Sequence, residues 1–144
     1  MNVGIKSLSG ILPEYHTEGS AGLDVRAYIE GEICIKRGKI SMVHTGLFFD
    51  IPTGFEIQVR ARSGLASKHG IGLANGVGTI DSDYTGELII PLINLGEEDY
   101  VVKNNDRIAQ ILLARCERIN WQEREEIDKG EGRQGQGFGH TGIE

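Results

Sequence analysis

A chain of 144 residues, 39% hydrophobic and 25% charged, is long enough for one domain with a sizeable core and has an ordinary globular balance. Its formal net charge of −6, without basic clusters, argues against wrapping a nucleic-acid duplex or coating an anionic membrane, since both partners need a basic surface. No apolar run approaches the ~20 residues of a membrane helix, and the opening MNVGIKSLSG lacks the hydrophobic stretch of a secretory signal, so a cytoplasmic location is expected.

In chain order, apolar alternation predicts strands over 22–28, 31–36, 40–50, 54–62, 87–95 and 107–116. The 54–62 stretch, GFEIQVRAR, is the clearest: Phe55, Ile57, Val59 and Ala61 face one way, and Glu56, Gln58, Arg60 and Arg62 the other. Glycine-bearing turns, such as those at 37–38 and 53–54, separate the strands. Many short strands with turn signals between them predict an all-β sandwich or barrel. The long helical patterns of a parallel α/β fold are missing.

One short helix fits SGLASKHG, with Ser63 as its cap and Gly70 closing it. Residues 122–131 form a charge run, and a glycine-rich tail follows. The expected organisation is one domain over 1–129 and a flexible arm over 130–144. Cys34 and Cys116 form no CxxC pair and read as reduced core thiols. The histidines His16, His44, His69 and His140 have no zinc-ligand spacing.

Chemistry-bearing residues cluster in separate stretches. In AGLDVRA, Asp24 is either a strand-edge carboxylate paired with Arg26 or the single carboxylate that, with substrate phosphates, holds Mg²⁺ through its waters. In ARSGLASKHG, Arg62 and Ser63 open the helix, where free amides and the helix dipole suit an anion; the plain alternative is a capped helix with a solvated arginine. In NGVGTIDSDYTGEL, Asp81 and Asp83 read either as an Asx-type turn or as a source of the carboxylate that activates water. Gly76 and Gly78 let the backbone approach a ligand, and a backbone edge can distinguish uracil from cytosine by donor and acceptor order. In NDRIAQ, Gln110 interrupts an apolar strand and either satisfies a buried backbone group or donates to phosphate. In GRQGQGFGHTG, Arg133 can grip an oxyanion and Phe138 can cover a planar base. The literal GxGxxG there is spurious, because no helix follows it.

Taken in order, AGLDVRA, RSGLASKHG, NGVGTIDSDYTGEL, NDRIAQ and RQGQGFGHTG resemble the motifs of the trimeric dUTPase family, over about residues 5–142. The resemblance implies an all-β, jelly-roll-like subunit, a homotrimer, and Mg²⁺-dependent hydrolysis of dUTP to dUMP and pyrophosphate. It further implies that Asp24 holds the metal through water, and that Arg62, Ser63, Gly64 and Gln110 bind phosphate. The hairpin from Asn75 through Ile80, with Asn75, Gly78, Thr79 and Ile80, would read uracil, Asp81 would deprotonate the attacking water, and Tyr84 would exclude a 2′-hydroxyl. From the arm, Arg133 would reach the γ-phosphate, Phe138 would stack on uracil, and Gly139 and Thr141 would contact phosphates. Asp24, Arg62 and Gln110 would come from one subunit, Asp81 from a second and the arm from a third. Asp83, Asp106 and Arg107 are assigned to architecture. The tail departs from the family's usual R-G-x-G-G-F-G-S-T-G, with Gln134 and Gln136 in place of glycines and His140 in place of serine. The alternatives are a dCTP deaminase-like enzyme, which shares the fold but uses a glutamate base, and a non-catalytic trimeric module that senses nucleotide.

Overall fold

The computed structural model describes residues 1–127. Its strands are β1 (Gly4–Ser7), β2 (Glu14–Tyr15), β3 (Leu23–Arg26), β4 (Glu32–Ile35), β5 (Ile40–His44) and β6 (Leu47–Asp50). There follow β7 (Phe55–Arg60), helix α1 (Ser63–His69), β8 (Ile71–Leu73), β9 (Gly78–Ile80), β10 (Ile89–Asn94), β11 (Tyr100–Lys103) and β12 (Arg107–Arg115). The largest sheet runs β2-β3-β12-β7-β9, a second runs β5-β10-β8, and the pairs β1-β6 and β11-β4 complete the ladders. Every ladder is antiparallel. This is the all-β architecture expected from alternation and turn spacing, in the jelly-roll form that the family resemblance implies.

Alternation decides what each strand buries. Ile57 and Val59 of β7, Val25 of β3 and Ala109 and Ile111 of β12 turn inward. They share one cluster with Val43, Leu73, Ile90 and Leu92 of the second sheet and Ile35 and Val102 of the β4–β11 pair. The opposite face of β7 is polar, and its side chains form a ladder: Arg60 donates to Gln58 at 2.8 Å, and Gln58 to Glu56 at 2.7 Å. Buried Asn94 donates to the carbonyls of Ile35 and Glu98 and accepts from the Gly96 amide, so its burial leaves nothing unpaired.

Several expectations need correction. The single strand over 40–50 is two strands, because Gly46 takes φ 64° and turns the chain from one sheet to another ladder. Ser63 is the first helical residue, not the cap; that place belongs to Arg62, which makes no side-chain capping bond. Gly70 does close α1 in the left-handed region. Cys34 lies on the outward face of β4 and is exposed, and Cys116 is half-buried, so neither is a core thiol. Among the described residues no helix is long and apolar enough to cross a membrane.

Candidate active site

The register of the large sheet assembles the first group. Gln110 on β12 lies opposite Asp24 on β3 and opposite Arg60 on β7. Residues directly opposite share a face, and the Gln110 amide donates to Asp24 Oδ1 at 3.2 Å. Arg62, just past the end of β7, donates from Nε to the same oxygen at 3.1 Å. Arg107 Nη1 donates to Asp24 Oδ2 at 3.0 Å, and Arg62 Nη1 donates to the Arg107 carbonyl at 3.1 Å. Asp24 therefore does not pair with Arg26, which donates to the Asn105 carbonyl instead.

Arg107 joins this group through a bulge. Residues 107 and 110 are an odd number apart and would face opposite ways on a regular strand. The β3–β12 register shifts between Arg107 and Ala109, and the extra residue brings Arg107 round to the face of Gln110. Burial pushes the Asp24 carboxyl up, but the Gln110 hydrogen bond and the Arg62 and Arg107 charges outweigh it and hold it below the usual carboxylate range. Ser63 and Gly64 follow Arg62 on the exposed first turn of α1, where helix amides have no intrahelical acceptor.

The donor set fits Mg²⁺ only in an outer role. Among the described residues no group of three or more acidic, histidine or cysteine side chains could hold a metal. A carboxylate offers about four lone-pair sites, and Arg62, Gln110 and Arg107 take three on Asp24. One remains for a metal-bound water, which suits an ion held chiefly by substrate phosphates.

The second group lies elsewhere on the sheet. Asn75 starts the passage from β8 to β9, with the Gly76 amide bonded to the Leu73 carbonyl. The expected hairpin is instead a crossing between sheets, since β8 pairs with β10 and β9 with β7. Asn75, Gly78, Thr79 and Ile80 line one cleft of about 60 Å³, well below the ~300 Å³ at which ligand pockets begin. Asp81 follows β9 and is exposed, as are Asp83 and Tyr84. Because Ile80 pairs with Ile57, Asp81 lies at the Glu56 end of the sheet.

That position separates Asp81 from Asp24. Ile80 lies opposite Ile57, so Asp81 continues to the level of Glu56, four residues from the Arg60–Gln110–Asp24 row. At ordinary sheet spacings this is about 14 Å across the strands and about 13 Å along them. One chain brings Asp24, Arg62 and Gln110 together, but not Asp81 with them. Arg133, Phe138, Gly139 and Thr141 lie outside the described residues.

Sequence reasoning assigned Arg107 to architecture without finding its partner, and it missed Glu87. The dipeptide Asp106-Arg107 carried no signal of the bulge that delivers Arg107 to Asp24. Glu87 accepts the Thr45 and Gly46 amides at 3.2 and 2.8 Å and pairs with His44 Nδ1 at 2.9 Å. Burial pushes its carboxyl up, but the His44 and backbone hydrogen bonds prevail and hold it low. Only its place just after Tyr84 hinted at it.

The dUTPase family model matches residues 9–142. Deoxyuridine 5′-triphosphate nucleotidohydrolase of Finegoldia magna is 50% identical over 92% of this chain and 92% of its own. The enzyme of the same name from Rickettsia felis is 50% identical over 96% of this chain and 93% of its own, and that of Fusobacterium nucleatum 53% over 91% and 89%. In fold, the chain is similar to a variant of the Staphylococcus bacteriophage 80alpha dUTPase with dUpNHpp, at TM-score 0.86, 20% identity and 99% coverage of both chains. The dUTPase of phage phi11 of S. aureus gives TM-score 0.78 at 18% identity, over 90% of this chain and 100% of its own, in a variant described with a structural Mg(II) ion. The relatives share half their residues with this chain across nearly all of it, and the model spans every motif from Asp24 to Thr141: the chain belongs to the dUTPase family.

Proposed function

We propose that this chain hydrolyses dUTP to dUMP and pyrophosphate at a site shared between copies. Family membership gives the reaction. The observation that supports the shared site is the register separation of Asp81 from the Asp24–Arg62–Arg107–Gln110 group. A nucleotide needs both halves, and a neighbouring copy supplies the missing one. The shallow uracil cleft fits the same reading, because a wall must come from outside it. So do Ile119 and Trp121, which follow β12 with 67% and 87% of their surface exposed, as apolar side chains awaiting a partner. The homotrimer, with the 130–144 arm closing each site, is the assembly inferred.

Each residue then has a task. Arg62, with the Ser63 and Gly64 amides and Gln110, draws the phosphates to the end of β7. The backbone from Asn75 to Ile80 accepts the uracil edge. Asp81 takes a proton from water as the water oxygen bonds to the α-phosphorus, and the bond from that phosphorus to the pyrophosphate oxygen breaks. Tyr84 lies against the deoxyribose. Arg133 and Phe138 complete the γ-phosphate and base contacts. Asp24 would hold Mg²⁺ through water, and the ion when bound would supply charge neutralisation on the phosphates.

A product assay on dUTP, dCTP, dTTP and UTP tests the proposal. The expected result is dUMP and pyrophosphate from dUTP, lost with EDTA and restored by Mg²⁺. Asp81→Asn should keep nucleotide affinity and lower turnover by about 10²-fold or more. Undiminished turnover in that variant removes Asp81 from its role, and ammonia released from dCTP would move the chain to the deaminase branch.

A further inference from the structure

Tyr84 stands on a turn whose shape depends on a residue away from the reacting groups. Its N–H donates to the Asp81 carbonyl at 3.2 Å, which closes the turn. Its ring folds back over Gly86, where a Cβ would lie 2.5 Å from the phenolic oxygen. The hydroxyl then donates to the Glu87 carbonyl at 2.9 Å. The ring is thus seated on the main chain of residues 86 and 87.

Glu87 fixes that main chain to the β5–β6 turn. Its Oε1 accepts both the Gly46 and Thr45 amides, while Oε2 accepts from His44 Nδ1. An ionised carboxylate only accepts, so the imidazole presents its Nδ1–H here. The next residue is laced to the same turn, with Leu88 N–H on the Leu47 carbonyl and the Thr45 hydroxyl on the Leu88 carbonyl. The Glu87 side chain is 21% exposed, so these bonds are partly shielded from water.

We propose that Glu87, held by His44 and the Thr45 and Gly46 amides, is a positioning residue that seats Tyr84 and thereby sets the preference for deoxyribose over ribose. The inference rests on the reading of Tyr84 as the group against the sugar. Excluding one hydroxyl is a matter of about an ångström, and hydrogen bonds to a charged group hold a position more firmly than neutral ones. A ring that can tilt admits the 2′-hydroxyl while still accepting dUTP. Loss of the clamp therefore appears in specificity before it appears in dUTP turnover.

The test compares kcat/KM for dUTP and UTP, on the full chain with Mg²⁺, in wild type and in Glu87→Ala, Glu87→Gln, His44→Ala and Tyr84→Ala. Glu87→Ala should lower the dUTP-over-UTP ratio by about tenfold or more, since three bonds to a charged group are lost. Glutamine can repeat both amide contacts through its carbonyl oxygen and face the imidazole with its NH₂, so Glu87→Gln should stay within about threefold of wild type. His44→Ala, at an exposed position that folding tolerates, should lower the ratio by about twofold to threefold. It carries the test if Glu87→Ala does not fold. A ratio unmoved in these variants, with Tyr84→Ala relaxing it, overturns the clamp alone, whatever happens to thermal stability. A ratio unmoved in Tyr84→Ala overturns the sugar-side reading of Tyr84, and the clamp with it.

Discussion

Asp24 takes one partner from each of three places: the end of β7, the start of β12 and the middle of β12. Its residue type and apolar flanks were visible in the sequence; its partners were not. Arg26, two residues away, was the local choice, but strand geometry puts a bulge and a register between the sequence and the contact. The held-down carboxyl has a consequence for acid stability. A group whose pKa is lower in the folded than in the unfolded chain contributes stability above its ordinary value, 3.8 here, and loses it as pH falls through the folded value. Asp24→Asn should therefore lower stability at pH 7 by about 1–3 kcal/mol, with Arg62 contributing more than the 40% exposed Arg107. Denaturant midpoints should show that deficit closing below pH 3.8, as the wild-type carboxylate protonates. A deficit that persists at low pH would point to packing rather than charge.

At the scale of elements, period carries information and closure does not. The alternation of β7 correctly divided Ile57 and Val59 from Gln58 and Arg60. The helix was placed to within a residue because Gly70 and the helix formers before it are local signals. The cap was misplaced because Arg62 has extended φ and ψ without a short polar side chain to announce it. Short strands such as β9 and β11 escaped notice, since three or four residues hold no more than two periods. The corrected cap separates stability from function. Ser63→Ala should leave the unfolding free energy within about 0.5 kcal/mol of wild type, where loss of a true cap would cost about 1 kcal/mol. In the proposed site the same variant should raise KM for dUTP, and steady-state kinetics beside calorimetry would read both.

At the scale of the whole molecule, the two halves of the proposed site lie on one sheet yet out of reach of each other. The reaction proposed for the chain then depends on assembly. Light scattering should give the mass of three chains, and mixing an Asp81→Asn chain with an Arg62→Ala chain should restore activity, because hybrid sites can hold one intact half of each. Removing residues 130–144 should leave the fold and the assembly in place and lower kcat/KM by roughly 10²-fold. Full activity after truncation would free the arm, with its Gln134 and Gln136, from any part in the site.

By itself the sequence determined the fold class, the span of the helix, the inward and outward faces of the best strands, and the chemical character of each motif. These are properties of neighbouring residues and of periods two and 3.6, which a linear chain displays directly. The tertiary structure decided that Asp24 meets Arg107, that residues 40–50 divide at Gly46, that the Glu87 carboxylate binds the β5–β6 turn, and that Asp81 stands apart from the Asp24–Arg62–Gln110 group. Each of these depends on which strand pairs with which, and in what register. That choice is made by the burial of the whole core, and no short stretch of sequence records it.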